Sequence, residues 1–210
     1  MPGGWGSDED ELDQRSLLEA GNGHEQMRMV RSWVRRGVHG RPVNLNVDRI
    51  RLLNGIAMKG ILARPWELRT CSDLEIFGSR HVLPPHEHVR ELLEDACSFV
   101  ESQAHADPIF LAAYVLWRIC WIHPFEDGNG RTARAASYFV LSNALRLELP
   151  GNLPIPARIK QAPRAYTRAL ESADAAWAEG RLDVSIMRGL LEHYLRAQLN
   201  NDPPGLPPGS

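Results

Sequence analysis

Apolar residues recur at helical spacing along most of the chain, and the exceptions fall in a few short segments. Residues 11–19, ELDQRSLLE, predict a short helix; residues 24–36 predict a second, with Met27, Val30, Trp33 and Val34 on one side. GVHGRPVN breaks the pattern before residues 47–61, where Ile50, Leu53, Ala57 and Ile61 return to helical period. Residues 85–100 carry the stripe Val89, Leu92, Leu93, Ala96 and Val100. Asp107-Pro108 is a helix start, an acidic N-cap followed by proline at the first helical position. The IFLAAYVLWRICWI that follows is apolar nearly all round, which predicts a central buried helix with Trp117 and Trp121 in the core. Pro124 forbids its continuation. Helical pattern resumes over 131–147, and over 163–179 and 183–199 on either side of Gly180.

Residues 64–85 read differently. Pro84-Pro85, Gly78-Ser79 and the short run Leu74, Glu75, Ile76, Phe77 predict extended chain around a turn, a β-hairpin flap on a helical body. Ser79 reads as a turn residue. His86-Glu87-His88 reads as a surface helix start, because histidines two apart face different sides of a helix and the zinc-protease spacing is absent. The fold class is therefore mostly α with one small β element. Residues 1–10 and 201–210, polar and rich in Gly or Pro, predict disorder; helices over 11–45 precede a main domain over 46–200.

Composition changes this picture little. Hydrophobic residues are 43% and charged residues 24% of 210, enough to bury a core in a single domain. A net charge of −2 with no basic half argues against nucleic acid as a partner. The arginines at 28, 31, 35, 36, 49 and 51 are interspersed with apolar residues and read as solvated helix faces. Three cysteines without metal-like spacing predict free thiols, Cys97 and Cys120 buried in helices. No signal core is visible and no apolar run approaches the ~18 residues of a membrane span. The expectation is a soluble cytoplasmic protein, although export as an effector would leave no mark on such a sequence.

One segment carries chemistry: HPFEDGNGRTAR, residues 123–134. A buried helix delivers His123 at its C-terminal end, and Gly128 and Gly130 lead into the next helix. Glycines let successive N–H groups converge on one point, and a helix N-terminus adds unpaired donors and partial positive charge. That is an anion cradle suited to phosphate. Arg131 and Arg134, three apart, share a face of the first turn and can clamp further phosphate oxygens. Asp127 is placed to hold Mg²⁺, which takes a carboxylate together with phosphate oxygens. Asn129 can fix the loop or a phosphate, and Phe125 anchors the loop to the core. His123, with an imidazole near neutral pKa beside a bound nucleotide, reads as a general base toward an incoming hydroxyl.

Filled at His123, Phe125, Asp127, Gly128, Asn129, Gly130, Arg131 and Arg134, this stretch resembles the Fic family signature HxFx(D/E)GNGRxxR. Residues 74–95, LEIFGSRHVLPPHEHVRELLED, are similar to the family's flap and following helix; Arg69 in ELRT and the 166–174 stretch YTRALESAD match weaker family patterns. The resemblance spans about Asp48 to Leu199. It implies an all-α Fic fold with a β-hairpin flap and transfer of AMP from ATP to a Ser, Thr or Tyr hydroxyl of a target protein, releasing pyrophosphate. By the same resemblance His123 activates the hydroxyl, Asp127 coordinates Mg²⁺, Gly128, Asn129 and Gly130 form the anion hole, and Arg131 and Arg134 contact phosphates. Leu74 to Phe77 would pair with the target's backbone as an added strand. Gly130 stands where phosphorylating Doc-type relatives carry lysine, which favours nucleotidyl transfer.

Many Fic proteins also carry an inhibitory helix with (S/T)xxxE(G/N). RSLLEAGN, residues 15–22, resembles it imperfectly, with Arg15 at the Ser/Thr position, Glu19 as the glutamate and Ala20 at the Gly/Asn position. The resemblance would pair Glu19 with Arg134. A solvated acid on an exposed helix is the alternative. Because the loop reads phosphates, UTP or GTP fits as well as ATP, and a binding module with little turnover is a further alternative. A degenerate brake would also suit a separate inhibitor or antitoxin chain.

Overall fold

The computed structural model describes residues 8–40, 43–74, 76 and 81–201, with side chains from Leu12 onward. Eight α-helices make up this part: α1 Asp8–His39, α2 Val47–Ala57, α3 Val89–Ser102, α4 Pro108–Ile122, α5 Asn129–Ala144, α6 Ile155–Gln161, α7 Pro163–Ala178 and α8 Ser185–Leu199. A 3₁₀ turn over His86–His88 precedes α3, fully exposed, as a surface helix start should be.

Helix α4 is the axis of the domain. Asp107 caps it, its Oδ1 accepting from Ile109 N at 3.1 Å, and from Leu111 to Ile119 every side chain is buried. Helix α5 packs against it, with Ala133, Ala135 and Ala136 on α5 and Ala112 and Ala113 on α4 all buried, and Ser137 Oγ donates to Ala112 O at 2.8 Å. Small side chains let the two backbones approach, so the loop joining them sits rigidly on the core. Trp117 is wholly buried, with Nε1 donating to Asp174 Oδ1 at 2.8 Å; Trp121 is half-buried beside it.

Four sequence expectations need correction. The two N-terminal helices are one, 32 residues long, running through Gly21 and Gly23. Each glycine disfavours helix by about 1 kcal/mol, but Asn22 between them is buried and its Nδ2 donates to Ala57 O and Lys59 O at 3.2 and 2.8 Å. Gln26 Nε2 adds a bond to Leu53 O at 2.9 Å. These distant carbonyls at the end of α2 hold the helix through its weak point. Helix α2 itself stops at Ala57, where Met58 N turns back to Asn54 O and Gly60 takes φ 73°. Helix α6 has no counterpart in the apolar pattern: seven residues with a proline carry little periodicity, and its start is set by Gln198 on α8, whose Oε1 accepts from Ile155 N at 2.9 Å. Cys97 and Cys120 are free but half-buried rather than buried; burial pushes their thiols up to about 12 and about 11.

The expected β-hairpin flap is not seen, since no strand occurs among the described residues. Glu75, Phe77 and Gly78 to Arg80, Ser79 included, lie outside them. At the roots of this segment the carbonyls of Cys71 and Pro84 both accept from the Arg69 guanidinium, at 2.7 and 2.5 Å, rather than from a facing strand. The expected disordered tails, apart from Asp8 to Asp10 in α1 and Asn201, also lie outside the described residues.

Candidate active site

At the end of α4 the chain reverses at His123, which takes the left-handed conformation (φ 50°, ψ 60°) as its N–H closes on Ile119 O at 3.0 Å. A non-glycine residue held there is unusual and needs outside support. Arg69 supplies it: Nε donates to His123 O at 2.8 Å, and Arg69 N donates to Pro124 O at 2.9 Å. The imidazole is half-buried. Burial lowers its pKa to about 4, and the charges of Arg69 and His81 act in the same direction against a hydrogen bond at the Cys120 backbone and the Asp127 carboxylate. The ring is therefore neutral at physiological pH but less basic than the near-neutral imidazole expected from the sequence, because burial disfavours its charged form.

Phe125 is 1% exposed, inward as expected. Its N–H donates to Asn129 Oδ1 at 2.9 Å while Asn129 Nδ2 returns a bond to Phe125 O at 2.8 Å. The buried Asn129 side chain is thus committed to fixing the loop. Gly128 adopts φ 79°, where an added Cβ would lie 2.7 Å from Met58 Cγ and Sδ and 2.9 Å from Asn54 Nδ2. A side chain there would strain the backbone and force Met58 or Asn54 to shift. With the first helical bond running from Thr132 N to Gly128 O at 2.9 Å, the N–H groups of Asn129, Gly130 and Arg131 precede the α5 ladder.

Four charges meet above this loop. Arg15 Nη2 donates to Asp127 Oδ2 at 3.1 Å, and Arg15 Nε to Glu19 Oε1 at 3.2 Å. Glu19 Oε1 lies 3.3 Å from Arg131 Nη1, and Arg131 Nη2 lies 3.5 Å from Asp127 Oδ1. Glu19 therefore meets Arg131 and not Arg134, a correction to the pairing expected from the resemblance. The reason is direction: Arg134 turns its Nη1 toward Gly130 and the guanidinium toward Tyr166 and Cys120 on the far side of the turn. Among the described residues no group of three or more His, Cys, Asp or Glu side chains could cage a metal. Asp127 offers one carboxylate, the donor set for a Mg²⁺ that arrives with phosphate oxygens.

Two further residues hold this site, neither given a role there by the sequence pattern. Asn54, 1% exposed, donates Nδ2 to Asp127 O at 2.9 Å and to Thr132 Oγ1 at 3.3 Å, and its Oδ1 accepts from Trp66 N at 3.2 Å. A signal existed, since Asn54 sits next to Leu53 on the apolar stripe of α2, where a polar side chain must find partners. Arg69 is the other, a 5% exposed cation that the sequence matched only to a weak family pattern. Leu74, with Asn54, Arg69, Phe125 and Glu126, lines a cavity of ≈ 180 Å³ beside the loop, and Ile76 is half-exposed nearby in sequence. The larger cavity of ≈ 510 Å³ lies between α1, α3 and α5 and takes none of its lining from the loop.

Fold and loop together define a helical domain with a glycine turn leading into the start of α5. Residues 44–141 match the model of the Fic/DOC family. Similar solved structures include a Fic domain containing signaling protein from Bacteroides thetaiotaomicron, with TM-score 0.72 and 19% identity over 95% of this chain and 74% of that one. A Fic family protein from Desulfovibrio desulfuricans G20 aligns with TM-score 0.66 and 19% identity over 89% of this chain and 54% of that one. At such identity the likeness shows the fold. The protein adenylyltransferase fic-1 of Caenorhabditis elegans is 36% identical over 74 residues, 34% of this chain and 15% of its own length. The protein adenylyltransferase Fic of Nematostella vectensis is 33% identical over 84 residues, 39% of this chain and 20% of its own. The chain thus spans a fifth or less of these relatives. No helix among the described residues is long and apolar enough to cross a membrane.

Proposed function

We propose that this protein is a nucleotidyltransferase that moves AMP from ATP to a Ser, Thr or Tyr hydroxyl of a target protein. The observation that carries the reading is the placement of His123, in a left-handed turn directly ahead of the Gly128 corner and the N–H groups that precede the α5 ladder. The target hydroxyl oxygen attacks the α-phosphorus, His123 takes its proton, the bond to the β-phosphate bridging oxygen breaks, and pyrophosphate leaves. Backbone N–H groups of Asn129 and Gly130 would face the phosphates, the Gly128 N–H being donated to Asp127 Oδ1, and Arg131 and Arg134 would receive negative charge that builds on the leaving group. Asp127 would hold Mg²⁺, which when bound neutralises phosphate charge. Residues from Leu74 to Phe77 would dock the target, as an added strand once a target is present. The names of the two adenylyltransferase relatives support ATP as donor. Incubating the protein with each of ATP, UTP, GTP and CTP, labelled on the α-phosphate, tests this: covalent label from ATP above the others is the expected result. Label from UTP or GTP alone would reassign the donor, and tight binding without label from any would make the domain a nucleotide-binding module.

Helix α1 acts as a brake on this site. Arg15 covers the carboxylate meant for the metal, and Glu19 engages an arginine meant for phosphate. All four side chains keep contact with solvent, at 53, 31, 43 and 21% exposure for Arg15, Glu19, Asp127 and Arg131, so each pair contributes only ~0.2–1 kcal/mol. Such a brake is leaky and yields to saturating nucleotide. Glu19→Gly and Arg15→Ala should each raise self-labelling from ATP at low ATP on the order of tenfold, the equivalent of about 1.4 kcal/mol. Equal rates in variants and wild type would make the cluster a surface charge network and nothing more. A separate inhibitor chain would act on the same face.

A further inference from the structure

Arg69 is bound in a way that no packing role requires. Its side chain is buried, and among the described residues it donates to four carbonyl oxygens: His123 O at 2.8 Å, Cys71 O at 2.7 Å, Pro84 O at 2.5 Å and Ile122 O at 3.4 Å. Its own N–H reaches Pro124 O at 2.9 Å. Ile122 and His123 end α4, where unpaired carbonyls carry partial negative charge, so a cation there is electrostatically favoured. Cys71 and Pro84 are the places where the chain leaves toward and returns from the segment 72–83. A planar guanidinium donates from three separate nitrogens in a fixed fork, as Nε, Nη1 and Nη2 do here, whereas an ammonium donates from a single point.

We propose that Arg69 is a positioning residue that couples the segment between Cys71 and Pro84 to the His123 imidazole. This rests on the transferase reading above, with that segment receiving the target. One rigid fork sets both where the acceptor arrives and where the base waits. The nucleotide cradle is held independently, by Asn54, by the Asn129–Phe125 pair and by the Gly128 corner. Loss of Arg69 therefore separates chemistry from nucleotide binding. Misplacement of a base by about 1 Å lowers a rate roughly a hundredfold.

The test compares wild type with Arg69→Lys, which keeps the charge, and Arg69→Gln, which keeps one donor group, after thermal unfolding shows that each is folded. Mg²⁺–ATP affinity is measured by calorimetry, self-labelling from α-labelled ATP at saturating ATP, and hydrogen exchange along the backbone. Expected are ATP affinity within about twofold of wild type, labelling lower by about a hundredfold in both variants, and faster exchange confined to amides 71–74, 81–84 and 122–125. Labelling near the wild-type rate in a folded variant overturns the proposal. So does loss of ATP affinity in step with labelling, exchange that accelerates through α5, or failure of both variants to fold, each of which would make Arg69 a support of the whole domain. If wild type binds ATP and labels nothing, the transferase reading fails and exchange alone decides: acceleration limited to the two roots and the loop start upholds the coupling, any other pattern ends it.

Discussion

His123→Ala should leave Mg²⁺–ATP affinity nearly unchanged and lower AMP transfer by about 10²–10⁴-fold, the range associated with a positioned general base. The reasoning is geometric. The cradle is made of backbone N–H groups ahead of the α5 ladder, and its shape is set by Gly128, Asn129 and Asn54, none of which touches the imidazole in the described contacts. The ring contributes a lone pair, and burial keeps that lone pair available by holding the pKa near 4 rather than 6.5. The sign matters for pH dependence. Burial disfavours the imidazolium, so the active neutral form persists as pH falls through the ordinary histidine range. The kcat/KM of self-labelling should stay flat there and drop only as pH approaches about 4. An acid limb at the ordinary 6.5, or alanine retaining more than about a tenth of the wild-type rate, would take the base role from His123.

The second large effect belongs to Gly128→Ala. A left-handed backbone costs an L-residue ~1–2 kcal/mol, and forcing a methyl to within 2.7 Å of Met58 adds roughly 1–3 kcal/mol unless the loop shifts. Together these should lower Tm on the order of 10 °C for a domain of this size, with ATP affinity falling because relief of the clash redirects the cradle N–H groups. Gly23→Ala is the contrast. Nothing lies within 4 Å of a Cβ there and the residue is mid-helix, so a slight stabilisation of about 0.5–1 kcal/mol is expected. Calorimetric scans of both variants with and without ATP would separate them; equal Tm changes would show that the corner at Gly128 is soft.

What could be read from the sequence was what depends on neighbours along the chain. The Asp107-Pro108 start, the apolar circumference of α4, the stop at Pro124 and the glycine turn into α5 are all decided within a dozen residues, and each occurs where expected. The inward turn of Phe125 followed from the same logic. Family resemblance then attached chemical roles to positions already singled out by residue type.

Tertiary structure decided what depends on groups far apart in sequence. Whether AGNG breaks a helix depended on carbonyls 35 and 37 residues away that receive Asn22, and a propensity sum over α1 contains no such term. The partner of Glu19 depended on which way two arginines leave α5, and the function of Asn54 and Arg69 on which backbone carbonyls the fold brings within 3 Å of them. Local sequence could specify the loop that meets an anion because backbone conformation and helix polarity are local properties. It could not specify which side chains clamp or cover that loop, because a hydrogen bond between distant residues exists only after the core has packed.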